Sequence, residues 1–208
     1  MIFIVFFIKF FFKASLKIPN PYMEFMHKVN GVIVVDNEDN RVFAKYYVPE
    51  FTDPKRQRIL EKAVMAKILA AAGVVKTTDG SPPVASTASD GNILLYEGYA
   101  VVYKTDADIT MMVFGSIDEN EVVLYSVLTC IYESLQTLLK CSGAIDKRLL
   151  LESYDALVLV IDEVIDDGII MEVNSSNVCP DVQPYFTERS ENPLNALITI
   201  NKYLKQNL

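Results

Sequence analysis

Apolar and polar residues alternate first in two short runs, then repeat with a helical period, then alternate in three more short runs, and finally recur every three to four residues through two long stretches. Val29 to Asp36 and Arg41 to Tyr47 are rich in β-branched residues and flank the polar Asp36-Asn37-Glu38-Asp39-Asn40, which predicts a hairpin. A first helix is announced by Asp53 as side-chain N-cap and Pro54 at the first helical position, with Ile59, Leu60, Ala63, Val64, Ile68 and Leu69 apolar and Gly73 as terminator. The stretch from Lys76 to Ser89 has no apolar period and is rich in Thr, Ser, Gly and Pro, so it is expected to be a mobile loop. Three strands follow, Asn92 to Tyr96, Ala100 to Thr105 and Thr110 to Ser116, with connections so short that only an antiparallel meander fits.

From Asn120 to about Lys140 the apolar positions Leu124, Leu128, Ile131, Leu135 and Leu138 are joined by Tyr125, Val127, Tyr132 and Leu139, so a second helix is apolar around much of its circumference. A third, capped by Asp146, carries Leu150, Tyr154, Leu157, Ile161 and Val164 and is expected to stop at Gly168. An extended Ile169 to Val173, a proline-containing stretch and a last helix from Pro193 to Asn207 complete the reading. The predicted fold class is α/β of the α+β kind: a small sandwich, one domain with a real core, arranged as a central domain at 29–178 between an N-terminal extension, 1–28, and a C-terminal tail, 179–208.

Charge narrows the partners. The chain carries a net charge of −8, and its first 28 residues hold four lysines and one glutamate, so the acidity belongs to the body. An acidic body repels phosphate backbones, and nucleic acid is not an expected partner. Within the N-terminal extension Ile2 to Phe12 is apolar except for Lys9, yet it is shorter than the roughly 20 residues that span a bilayer. Three readings stand for it: an interfacial anchor with Lys9, Lys13 and Lys17 at lipid headgroups, a weak targeting signal, or residues upstream of a start at Met23 or Met26. The last is preferred, because an exposed segment of this kind invites aggregation.

Candidate chemistry is sparse. Asp36, Glu38 and Asn40 alternate like the opening of a calcium loop, but Arg41 replaces the required glycine and Tyr47 the closing glutamate. Asp162, Glu163, Asp166 and Asp167 crowd the C-terminal end of the third helix, where they oppose its dipole; a solvated helix end is preferred to a docking site or a metal site. Cys130, Cys141 and Cys179 show no metal or disulfide spacing and read as reduced thiols, and His27, the single histidine, has no evident partner for catalysis or metal binding. Asn174-Ser175-Ser176 fits a glycosylation sequon by chance. No Walker loop, GxSxG or GxGxxG is present, so no catalytic residue, cofactor or small-molecule substrate is expected. The two long helices carry more apolar surface than one face of a five-stranded sheet covers. That excess is met by the helices packing on each other or by another subunit.

Phe43-Ala44-Lys45-Tyr46-Tyr47, Glu97-Gly98 followed by Val101-Val102-Tyr103-Lys104, Gly115-Ser116 with Glu119-Asn120-Glu121, and the stretch from Asp146 to Glu172 resemble the zeta-subunit family of coatomer, in unbroken order from about Val29 to Val178. The sigma chains of the clathrin adaptors are relatives with the same plan. This chain is less like them, with Tyr46-Tyr47 where sigma chains carry Trp-Tyr and Lys147 to Glu152 opening the third helix. Their pocket for dileucine signals is not carried over, because it falls in the least similar region.

The resemblance implies a longin-like (SNARE-like) domain: a five-stranded antiparallel sheet with the first helix on one face and the second and third on the other. It also implies a non-enzymatic small chain docked on the trunk of the gamma subunit of coatomer, and through it on the other coat subunits. Such a coat is cytosolic, recruited to Golgi membranes by an Arf-family GTPase, and works in retrograde Golgi-to-ER and intra-Golgi transport; the membrane association of this chain is then peripheral and indirect. Phe43, Lys45, Tyr46, Tyr47, Tyr103, Lys104, Asn120 and Glu121 are its expected fold or interface positions. The alternatives are a sigma-type adaptor chain and a longin-type trafficking regulator, the latter disfavoured because no heptad segment or anchor follows Asn207.

Overall fold

The computed structural model describes residues 27–71 and 92–185. The apolar run Ile2 to Phe12, the terminator Gly73, the loop Lys76 to Ser89 and the last helix from Pro193 lie outside the described residues. Five strands, β1 (Gly31–Asp36), β2 (Arg41–Tyr46), β3 (Asn92–Tyr96), β4 (Tyr99–Thr105) and β5 (Ile109–Ser116), form one antiparallel sheet in the order β2-β1-β5-β4-β3. The order follows from the hairpins: β1 pairs with β2 across the Asp36–Asn40 turn and the β3-β4-β5 meander closes on its other side. Asp36 builds that turn, its Oδ1 accepting from Glu38 N at 2.9 Å and Asn40 N at 2.8 Å. A calcium loop would need those oxygens free; here they are committed to the turn.

Strand alternation divides the core in two. Val32, Val34, Val102, Met111 and Val113 point to one face, and Ile33, Val35, Val101, Tyr103, Met112 and Phe114 to the other. The second face is covered by α1 (Pro54–Ala71) through Leu60, Val64, Met65 and Ile68, with Phe51 beside them. The first is covered by α2 (Glu121–Leu138) and, beyond it, α3 (Lys147–Glu152), α4 (Tyr154–Val164) and α5 (Ser175–Val182). The five-stranded sheet with one helix on one face and the remaining helices on the other is the architecture expected.

Three local expectations are corrected. The third helix is two: Ser153 takes φ −123° and ψ 42°, its N–H closing the last turn of α3 on Leu149 O at 3.1 Å while its carbonyl opens α4 by accepting from Ala156 N at 3.0 Å. Two anchors at different angles explain the break. Lys147 N donates to Asp108 Oδ1 at 2.7 Å and its Nζ to Asp36 Oδ2 at 2.7 Å, holding α3 at the sheet end, whereas Ala156, Leu157, Val160, Ile161 and Val164 lay α4 into the core. Nor does the helix run to Gly168. It ends at Val164 and turns into a small hairpin of β6 (Ile165–Asp166) and β7 (Ile169–Ile170). Asp167 and Gly168 both have positive φ, 50° and 85°, as the two central residues of a type I′ turn require. Val29 N donates to Gly168 O at 2.7 Å, and Lys28 bridges to Ile169, so the first residue of the expected β1 runs against this hairpin, while Asn30 N already joins the main sheet by donating to Phe114 O at 2.7 Å.

The third correction is α5, which sequence reasoning read as a proline-containing connection. Asn174 caps it, Oδ1 accepting from Ser176 N at 3.0 Å, and this is the asparagine of the sequon. Pro180 sits inside the helix at the cost of one backbone bond, and burial of Val178, Cys179 and Val182 against α2 and α4 offsets it.

Candidate interaction surface

β2 is an edge strand, so its alternating side chains have different surroundings. Phe43 faces the α2–α4 side and is buried, its ring 6.2 Å from that of Tyr154. Lys45, on the same side, forms an ion pair with Asp162 of α4, and its Nζ lies 5.2 Å from the centre of the Tyr47 ring. The Tyr47 hydroxyl is sealed from solvent and has no hydrogen-bond partner among the described residues. Burial, reinforced by the carboxylates of Asp162, Asp166 and Asp167, pushes its pKa far above the ordinary value. The acidic helix end foreseen from sequence therefore splits: Asp162 is tied to β2, while Asp166 and Asp167 are exposed. Among the described residues no group of three His, Cys, Asp or Glu side chains is arranged to hold a metal ion.

Tyr46 faces α1. Its hydroxyl donates to Glu61 Oε1 at 2.8 Å, and its ring packs on Phe51 at 5.2 Å and Phe114 at 5.9 Å. Glu61 is only 2% exposed and is also held by Arg41 Nη2 at 2.5 Å and Arg58 Nη1 at 3.2 Å. On β4, Tyr103 is buried beneath α1, and Lys104 points the other way with Nζ 4.5 Å from the Tyr132 ring centre. There Lys104 and the α2 residues Tyr125, Thr129 and Gln136 line a pocket of about 190 Å³. Asn120 caps α2, its Oδ1 accepting from Val122 N at 2.9 Å, and Glu121 stands in the first turn where the helix dipole favours an anion. The eight expected positions thus fall in three places. The structure joins Lys45 to Tyr47, sets Tyr103 and Lys104 back to back across the sheet, and keeps Asn120 and Glu121 at the start of α2.

Sequence reasoning passed over several organising residues. Glu61 interrupts the apolar stripe of α1 between Leu60 and Val64, and a carboxylate in such a stripe three residues after Arg58 was the available signal. Asp106, in the β4–β5 turn, accepts from the Tyr132 hydroxyl and from Ile145 N at 2.8 Å, so it fastens the chain after α2 to the sheet. The Asp36–Lys147 pair spans 111 residues, and no local pattern announces it. His27 also has a neighbour unforeseen from sequence, its Nδ1 lying 3.1 Å from Glu119 Oε2. Large apolar side chains left exposed include Ile93 and Leu95 on edge strand β3, Val122 on α2 and Leu151 on α3.

Comparison with known proteins gives this surface its context. Residues 28–201 match the family model described as clathrin adaptor complex small chain. The human coatomer subunit zeta-1 is 33% identical over 153 residues, covering 74% of this chain and 75% of the relative. Coatomer subunit zeta of Saccharomyces cerevisiae is 30% identical over 163 residues, covering 74% and 76%. Among solved structures, a chain from a homology model of the full-length AP-3 complex in a stretched open conformation superposes with a TM-score of 0.50 at 15% identity, over 76% of this chain and 92% of that one, a likeness of fold alone. The chain belongs to the clathrin adaptor complex small-chain family, and within it to the coatomer zeta subunits.

Proposed function

We propose that the chain is a non-enzymatic small subunit of a coatomer vesicle coat, docked on the trunk of the gamma subunit and through it on the remaining coat chains. The supporting observation is the likeness to coatomer zeta subunits, a third of positions identical across three quarters of both chains. In this reading an Arf-family GTPase recruits the assembled coat to the cytosolic face of Golgi membranes, and the coat carries cargo from Golgi to ER and between cisternae. The chain contributes rigidity: two packed cores around one sheet give a wedge against which a larger chain can set. Contact with the membrane is peripheral and indirect, and among the described residues no helix is long and apolar enough to cross a bilayer. Phe43, Lys45, Tyr46, Tyr47, Tyr103, Lys104, Asn120 and Glu121 hold the fold or its interface in this account.

Affinity purification of the tagged chain from its native cytosol, with mass spectrometry of what co-purifies stoichiometrically, tests the proposal. Recovery of the gamma subunit with other coatomer chains is the expected result. Recovery of clathrin-adaptor large chains would move the assignment to the sigma branch, and a clean monomer would overturn it.

A further inference from the structure

The molecule is electrically two-sided. From Glu121 to Val182, the helical layer on one face of the sheet, eleven carboxylates stand against three cations; α1, the α-helix that covers the other face among the described residues, has five cations against one carboxylate. That carboxylate, Glu61, is buried and already committed to Arg41, Arg58 and Tyr46. Lys55, Arg56, Lys62 and Lys67 all lie exposed on α1, and Lys55 and Lys62 pair with no carboxylate among the described residues. Three of the five cations, Lys55, Arg56 and Arg58, stand in or beside the first turn, where positive charge opposes the helix dipole. Arg58 is held by its ion pair with Glu61, Arg56 lies over the Phe51 ring and Lys67 donates to Leu95 O at 3.1 Å, which leaves Lys55 and Lys62 as the cations whose use lies outside the helix.

We propose that the outward face of α1 docks an acidic α-helix of the larger coat subunit. The inference rests on the coat-subunit reading and adds the face and the chemistry of its contact. Charge complementarity selects the partner: a basic face on an acidic molecule orients it toward a negative surface and repels the alternative approach. The shape selects a helix. Ile59 stands 64% exposed amid these cations, and Ala66 and Ala70, also exposed, lie on the same side at helical spacing, leaving a flat strip that a second helix can approach closely around one apolar knob. An interfacial lipid-binding helix presents a row of bulky apolar or aromatic side chains, and here Ile59 stands by itself among the large apolar side chains exposed on α1.

The test uses the full chain, wild type and two variants, titrated against the purified gamma-subunit trunk at several salt concentrations. Lys55→Glu with Lys62→Glu, and separately Ile59→Asp, change exposed positions, so melting temperatures should match wild type and loss of binding cannot be ascribed to unfolding. The expected result is a 1:1 complex that weakens as salt rises and is weakened at least tenfold by either variant. Wild-type binding with both variants within twofold of it would overturn the assignment of this face while leaving the coat reading intact; failure of the wild type to bind would overturn both. Parallel sedimentation with vesicles containing phosphatidylserine decides the remaining source of negative charge: lipid binding lost in the lysine variant, with trunk binding unchanged, would make α1 a membrane face and overturn the proposal.

Discussion

Asp36 shows how one side chain joins distant parts of the chain. Burial opposes its charge, but hydrogen bonds from Lys147 Nζ, from Asn40 through backbone and side chain, and from Glu38 N outweigh burial and hold the carboxyl at about 2, against an ordinary 3.8. A carboxyl lowered by folding adds stability above its unfolded pKa and loses it as pH falls through the folded one. Asp36→Asn should therefore cost about 2 kcal/mol at pH 7, with the difference shrinking below pH 4 and gone near pH 2; urea melts of both proteins across that range check it. Glu61→Ala should cost more, about 3 kcal/mol, because it leaves the Arg41 guanidinium without its buried counter-ion and the Tyr46 hydroxyl without its acceptor. Burial holds the Cys130 thiol up at about 11, so N-ethylmaleimide at pH 7.5 should leave Cys130 unmodified in the native chain and label it in urea. Protection lost without denaturant would show that α2 is not packed as described. The turn contacts of Asp36 with Glu38 and Asn40 lie within the hairpin that the sequence predicts, but Asp36–Lys147, Arg41–Glu61 and Tyr46–Glu61 join positions too far apart along the chain for periodicity to see.

At the scale of elements, hairpins and helices followed from local patterns wherever those patterns were unambiguous. Asp53-Pro54 starts α1, Asn120 and Asp146 cap the helices they precede, and the five strands fall within two residues of where alternation puts them. The failures have specific causes. Asp167-Gly168 is both a helix stop and a hairpin signature, and only tertiary pairing with Val29 decides between them. Pro180 argues against a helix, yet α5 forms because three of its eight residues are buried. Gly168 has φ 85° and an added Cβ would lie 2.9 Å from Val29 O, so Gly168→Val should destabilise by at least about 2 kcal/mol in thermal unfolding, whereas Gly143→Ala, where a Cβ meets nothing within 4 Å, should be nearly neutral.

For the whole molecule, the apolar excess seen in sequence is largely accounted for within the chain. Leu128 and Leu157 are 1% and 0% exposed, and α2, α4 and α5 pack on each other as well as on the sheet. Either Leu128→Asp or Leu157→Asp should abolish folding, because a lone carboxylate there costs several kcal/mol of a stability that is itself of order 10 kcal/mol; a soluble variant with native circular dichroism would contradict this packing. What the fold leaves outward is charge: a basic α1 face and an acidic helical face, invisible to a reading that summed the chain to −8. The family could be seen from ordered motifs along the sequence, but the partner-facing surface became legible only when the sheet separated α1 from the other helices.

Whether this small coat chain functions bound to a large one is decided by co-expressing the full chain with the gamma-subunit trunk and weighing the product by size-exclusion chromatography with light scattering. A monodisperse 1:1 complex, stable through dilution to the nanomolar range, is the predicted result. Separate elution of the two chains at micromolar concentration would contradict the claim.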